Sequence, residues 1–398
     1  MTIKIAILGI VWGCCPVAVE AAQTALAPDS YPDAACKVKS VRQEATAYEN
    51  AVTSPNSDLF AATQEDSKGV YQVFTGKPGS GDLRCISCTE RAGLPRRDRN
   101  KPMISWHPSG KWLVVGAEQD THGNMWMPAS WKRGLLQSGI WLNMWLVSPD
   151  GKHWYQQTDF KKPAHGPSDG FVGTAFSPDG KKAAWTEIVD GNVLANAFGV
   201  WRLFVADFTV SRDGVPSLVN RRDITPAGAK WVEPGNFSPD GRSLLISSDA
   251  GMKDALGQDQ FVLDIVTGKL TNLNSSPQVW DEHGLYSPDG RKISFMSSYP
   301  YRAESGSNKT AALKTEFMLM DADGGNLQQV THFNTPGFPE SQKSRTIAAV
   351  AGFGKDGTQL FASLMTTDKS FKKTNWTITF EGPCGNMRQA ATPPVGRR

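Results

Sequence analysis

Two short stretches carry residues able to do chemistry at matched spacing, Trp231-Val232-Glu233-Pro234-Gly235 and Trp280-Asp281-Glu282-His283-Gly284. Each precedes an aromatic residue, Phe237 or Tyr286, by the same interval. Carboxylates and imidazole together could ligate a divalent metal ion through mixed N/O donors. They could equally serve as the general acid and base of a lyase or hydrolase. The candidate catalytic groups are Glu233, Glu282 and His283, and the candidate metal ligands are these three with His165 and His122. A divalent ion is the one cofactor this set suggests. The plainer alternative is that the glutamates accept backbone N–H groups from neighbouring strands and the histidines are polar loop residues.

A second group offers apolar contact. Met125, Trp126, Met127 and Trp131 crowd into residues 119–139, and Trp231 and Trp280 head the two matched stretches. Aromatic and methionine side chains of this kind could stack on sugar rings or grip an apolar partner. Thirteen tryptophans exceed what packing alone demands. Gly166-Pro167-Ser168-Asp169-Gly170 fits a serine-hydrolase pattern, but no helical periodicity follows it to build the strand-to-helix elbow which that motif needs. His107, His153 and His332 read as structural. No glycine-rich loop precedes a helix, so nucleotide binding is not expected.

Residues 1–22 read as a signal peptide, with Lys4 before an apolar run from Ile5 to Val19 and small residues around Ala21. Lipoprotein processing at Cys14 is the lesser alternative, because Trp12 fits that motif poorly. A periplasmic or secreted protein is expected. Nothing later is long and apolar enough to be a spanning helix. In an oxidising compartment the remaining Cys36, Cys85, Cys88 and Cys384 would form disulfides, with three pairings open. Cys36 and Cys384 could join if the chain ends meet, and Cys85-Ile86-Ser87-Cys88 could close as a local structural or redox pair. A formal charge of +3 over 398 residues, with no basic stripe, argues against nucleic acid as a partner. A monomer is expected.

The elements that must position these groups come from a repeat. Phe176-Ser177-Pro178-Asp179-Gly180 recurs as Phe237 to Gly241 and Tyr286 to Gly290, each time followed by a strand-like run. Degenerate copies begin at Trp106 and Phe353, and a sixth spans Thr53 to Asp58. Proline presets φ, and Asp-Gly supplies the positive φ that a hairpin turn needs. A second hairpin follows in each unit, as in Asp321-Ala322-Asp323-Gly324-Gly325-Asn326. Gly385-Asn386-Met387-Arg388-Gln389 imitates that turn, which implies that the last unit ends in its own fourth strand. Four short strands per unit, repeated six times, predict an all-β fold: a six-bladed β-propeller of four-stranded antiparallel blades over residues 50–398. Residues 23–49 then form an N-terminal extension.

The segment Asp321 to Thr331 and the Ser-Pro-Asp-Gly copies resemble the TolB-type propeller repeat. The resemblance covers roughly residues 50–392 and implies a fold, while propellers of this kind serve several unrelated functions. Metal-dependent oligogalacturonate lyases are similar in using a propeller with histidine ligands near the axis. In such a blade the Ser-Pro-Asp-Gly and Asp-Gly-Gly turns share one face. The insertions at 119–139, 189–199, 249–259, 299–315 and 366–375 share the other, with the links between blades. The sequence therefore predicts a binding or scaffold module for a protein, peptide or glycan on its long-loop face. The metal-assisted polysaccharide lyase or hydrolase is the alternative.

Overall fold

Turn chemistry sets the architecture. In the turn after Phe176, the Ser177 hydroxyl donates to Asp179 Oδ1 (2.6 Å), and Lys181 N donates to the same carboxylate (3.0 Å). Lys182 N closes the loop onto Ser177 Oγ (2.9 Å). Gly180 sits at φ +70°, where a side chain is disfavoured. The same bonds recur at Ser238/Asp240 and Ser287/Asp289, and the Ser hydroxyl holds the Asp179 and Asp240 carboxyls below their usual pKa.

The computed structural model describes residues 36–384 apart from 45–49, 78–82, 121–128, 161–168, 191–198, 253–256, 277, 305, 307–308, 310–311 and 368–372. In chain order the first strand is β1 (Val38–Gln43). Blade 1 then comprises β2 (Asn50–Thr53), β3 (Phe60–Glu65), β4 (Tyr71–Gly76) and β5 (Arg84–Cys85). Blade 2 comprises β6 (Met103–Trp106), β7 (Leu113–Glu118), β8 (Leu142–Val147) and β9 (Trp154–Gln156). Blade 3 comprises β10 (Phe171–Phe176), β11 (Lys182–Asp190), β12 (Val200–Val210) and β13 (Pro216–Asp223). Blade 4 comprises β14 (Val232–Phe237), β15 (Ser243–Ser248), β16 (Asp259–Asp264) and β17 (Leu270–Asn272). Blade 5 comprises β18 (Asp281–Tyr286), β19 (Lys292–Ser297), β20 (Glu316–Asp321) and β21 (Gln328–Gln329). Blade 6 comprises β22 (Thr346–Phe353), β23 (Gln359–Thr366) and β24 (Lys373–Phe380).

Each of the six sheets is four-stranded and antiparallel, as the repeat predicts. The sixth departs in one respect: its fourth strand is β1, paired antiparallel with β24. The N-terminal segment thus supplies the strand that the tail hairpin was expected to supply. Residues 385–398 lie outside the described residues. The Cys36–Cys384 disulfide ties β1 to the end of β24, and Cys85–Cys88 closes locally at β5.

The second strands explain the apolar runs. β7 is buried at every position because each of its faces packs on a neighbouring blade. Leu113 and Val115 join a cluster with blade 1, and Val114 joins one with blade 3. Further clusters join blades 3 and 4, 4 and 5, and 5 and 6. Among the described residues no hydrophobic cluster joins blade 6 to blade 1. In β23, Leu360, Ala362 and Leu364 point toward blade 5, so alternation turns Phe361 away, and it stays 54% exposed. Val350 is 40% exposed. The seam is bridged instead by Lys355 Nζ, which donates to the Pro55 carbonyl (3.0 Å).

The tight turns interlock around one face. A Cβ on Gly180 would lie 2.7 Å from the His107 ring, one on Gly290 2.5 Å from Pro239, and one on Gly110 2.9 Å from Ser54 Oγ. His107 is structural, as its position suggests: its Nε2 meets the Gly180 carbonyl (2.9 Å), and its ring packs against Phe208 and Phe176.

Lys101, in the link from blade 1 to blade 2, is 0% exposed. Its Nζ donates to the Arg96 carbonyl (2.7 Å) and to Gln72 Oε1 (3.3 Å). Burial pulls its pKa from 10.5 down to about 8, against the pull of Asp98 and Glu118. Between about pH 8 and 10.5 the unfolded chain binds the proton that the folded chain has lost, so stability from this group rises with pH. The full rise is on the order of 3 kcal/mol. Urea unfolding at pH 7.5 and pH 10 is expected to show this gain in the wild type relative to Lys101→Met. Parallel pH profiles for the two proteins would refute it.

Candidate functional site

The innermost strands of blades 4, 5 and 6 meet at the propeller axis and place the matched sequence stretches side by side. Glu233 lies on β14, and Glu282 and His283 lie on β18. One ligand atom from each of the three lies within 4.8 Å of the others. His283 Nε2 is 3.4 Å from Glu233 Oε2. Its other ring nitrogen, Nδ1, meets the carbonyl of Ala349 on β22 at 2.7 Å. Trp280 Nε1 donates to Glu282 Oε2 (2.9 Å).

A backbone irregularity creates this arrangement. The registers of β10, β14, β18 and β22 all shift at corresponding places, between Val172 and Thr174, Pro234 and Phe237, Glu282 and Leu285, and Ala348 and Val350. Such bulges re-aim side chains and recur beside functional sites. In β10 the bulged residue is Gly173 at φ +60°; in β18 His283 holds a nearly identical φ of +58°. A β-carbon in this left-handed region costs roughly 1–2 kcal/mol, which glycine avoids. Blade 5 therefore keeps a histidine at a strained position where blade 3 has glycine. Gly235 and Gly284 permit the close approach of the two strands, since a Cβ on Gly235 would lie 1.9 Å from the Gly284 carbonyl oxygen.

The electrostatics follow from this packing. Burial raises the Glu282 pKa, opposed by the His283 charge and reinforced by the Glu233 carboxylate. Burial disfavours charge on His283, but Glu282, Glu233 and the Ala349 carbonyl outweigh it and push its pKa up to about 10. At neutral pH the free site is therefore an imidazolium held between two carboxyl groups.

The other sequence candidates separate from this cluster. Trp280 is 6% exposed and packs with Met296, Leu313 and Ile347, so its indole orients Glu282 from the core. Trp231 is half-buried, edge-on to Trp201 at 5.3 Å. Met125, Trp126, Met127, His122 and His165 lie outside the described residues. Trp131 belongs to a helix, α1 (Ala129–Gln137), inside the insertion expected as a loop. That helix buries Leu136 in the cluster of blades 2 and 3, and Lys132 pairs with the buried Glu118. Leu135-Leu136, two turns into the helix, was the available signal. Sequence reasoning missed Ala349, because a backbone carbonyl leaves no mark on residue type.

No protein-family model matches the chain, and no curated protein matches it. Solved structures do resemble it. TolB from Acinetobacter baumannii is 15% identical with a TM-score of 0.44, over 84% of this chain and 63% of its own. A protein assigned as TolB from Agrobacterium tumefaciens is 16% identical with a TM-score of 0.44, over 77% of this chain and 88% of its own. Hydrazine synthase from Kuenenia stuttgartiensis is 14% identical with a TM-score of 0.47, over 81% and 78%. With TM-scores below 0.5, none of these likenesses decides what the chain does. By its own coordinates and its Ser-Pro-Asp-Gly repeats, the chain is a six-bladed β-propeller.

Proposed function

We propose that this chain is an exported binding propeller that captures a protein or peptide on its long-loop face. The observation that carries the reading is the inequality of the two faces. One is a ring of tight turns, in which Gly110, Gly180 and Gly290 sit close against the neighbouring blade. The other receives every long connection, including residues 119–141, 298–315 and 330–345, together with the mouth formed by Glu233, Glu282 and His283. Adaptable loops on a rigid scaffold are where recognition concentrates. Two disulfides support an oxidising compartment. No described helix is long and apolar enough to cross a membrane.

The test replaces residues 121–128 with a short Gly-Ser linker and leaves α1 in place, because Leu136 belongs to the core. Immobilised wild-type chain is expected to retain a partner from an envelope fraction. The variant should retain at least about tenfold less while melting within a few degrees of the wild type. Equal retention of the same partner by both proteins would remove this surface as the site. A partner released by free oligosaccharide would make the ligand a glycan instead.

A further inference from the structure

We propose that Glu233, Glu282 and the Nε2 atom of His283 form a binding site for one divalent transition-metal ion at the axial mouth. The inference goes beyond capture by the loops and stands whether or not that reading holds.

The donor set is the first argument. Two carboxylate oxygens and one imidazole nitrogen suit ions such as Zn²⁺ or Mn²⁺. Ligands about 2.1 Å from a metal lie at most about 4.2 Å apart. The present 4.8 Å span thus needs only a small side-chain contraction around the ion.

Orientation is the second argument. A metal-binding histidine ordinarily donates its other ring N–H to a carbonyl or carboxylate, which fixes the tautomer that offers the free nitrogen. His283 donates through Nδ1 to Ala349, on a different blade from either glutamate, so an incoming ion has only the Nε2 proton to displace. Glu282 is 7% exposed, and Trp280 holds its Oε2. Oε1 receives no hydrogen bond from the described residues and is available to a cation. A purely structural ion pair would require neither the strained bulge at His283 nor a second carboxylate.

The experiment uses the mature chain stripped with chelator, then titrated separately with ZnCl₂ and MnCl₂ by calorimetry. Bound metal is counted by elemental analysis after dialysis. One ion per chain is expected for at least one of the two metals. Glu282→Gln, which can keep the Trp280 bond, and His283→Gln should each weaken binding about 100-fold or more. Trp280→Phe acts through Glu282 and should weaken it about tenfold. Cobalt substitution gives a reading that needs no variant: visible d–d bands without thiolate charge transfer, displaced by zinc. The absence of one-to-one binding by the wild type would overturn the proposal, as would unchanged affinity in folded Glu282→Gln and His283→Gln proteins.

Discussion

Replacing both members of the long-range disulfide, Cys36→Ser with Cys384→Ser, is expected to lower stability by about 5 kcal/mol. The Cys85→Ser/Cys88→Ser pair should cost only about 2 kcal/mol. Loop length sets the difference, since the bridges span 348 and 3 residues and the longer constrains far more of the unfolded chain. Position adds to it. A propeller must close on itself, and here no hydrophobic cluster of the described residues joins the first and last blades. Closure rests on β1, which lies in blade 6 beside β24 and runs on into blade 1. The disulfide staples that strand in place. Urea unfolding of the two double variants, with m-values compared, checks the ranking. Hydrogen exchange should show early release of the Arg42 and Thr377 amides, which face each other across the β1–β24 ladder, in the first variant. Equal costs, or unaltered exchange in β1, would contradict this account.

Glu316→Ala is expected to cost about 3–5 kcal/mol, because it orphans buried donors that the carboxylate now satisfies. Glu316 is fully buried at the start of β20. Its Oε1 accepts from the Tyr301 hydroxyl (2.6 Å), Asn334 N (2.8 Å) and Asn334 Nδ2 (3.2 Å). Its Oε2 accepts from Thr331 Oγ1 (2.8 Å) and Phe333 N (2.8 Å). Burial raises its pKa while these donors oppose the rise. The residue ties the short 3₁₀ turn at Tyr299–Tyr301 and the 330–345 link to the base of blade 5. Glu316→Gln keeps one acceptor but turns an amide group toward donors, and should cost roughly 2 kcal/mol. A midpoint shift with constant slope in urea separates the three proteins. An alanine variant as stable as the glutamine variant would show that water replaces the carboxylate without penalty.

The sequence made the blades legible because their turns are local: Ser177, Asp179 and Gly180 specify a hairpin within six residues. The partner of β24 was not legible. Pairing of Val38–Gln43 with the far end of the chain is a contact between distant segments, and the tail at Gly385 carries a competing turn signal. At the axis, matched spacing correctly placed Glu233 beside Glu282 and His283, since equivalent residues of adjacent inner strands must be neighbours. The role of Trp280 was less visible. Residues two apart on a strand share a face, so its indole turns toward Glu282 within the core. The left-handed bulge at His283 has no compositional signature, because the same position is glycine in β10.

The interlocked turns also bear on how the molecule can be altered. A side chain at Gly180 or Gly290 would collide with His107 or Pro239 of the preceding blade. Residues 191–198, by contrast, connect the ends of β11 and β12, where the backbone ladder is already anchored. Foreign sequence placed between these strands is expected to leave their pairing intact, which would make the molecule a one-sided chassis for displayed peptides.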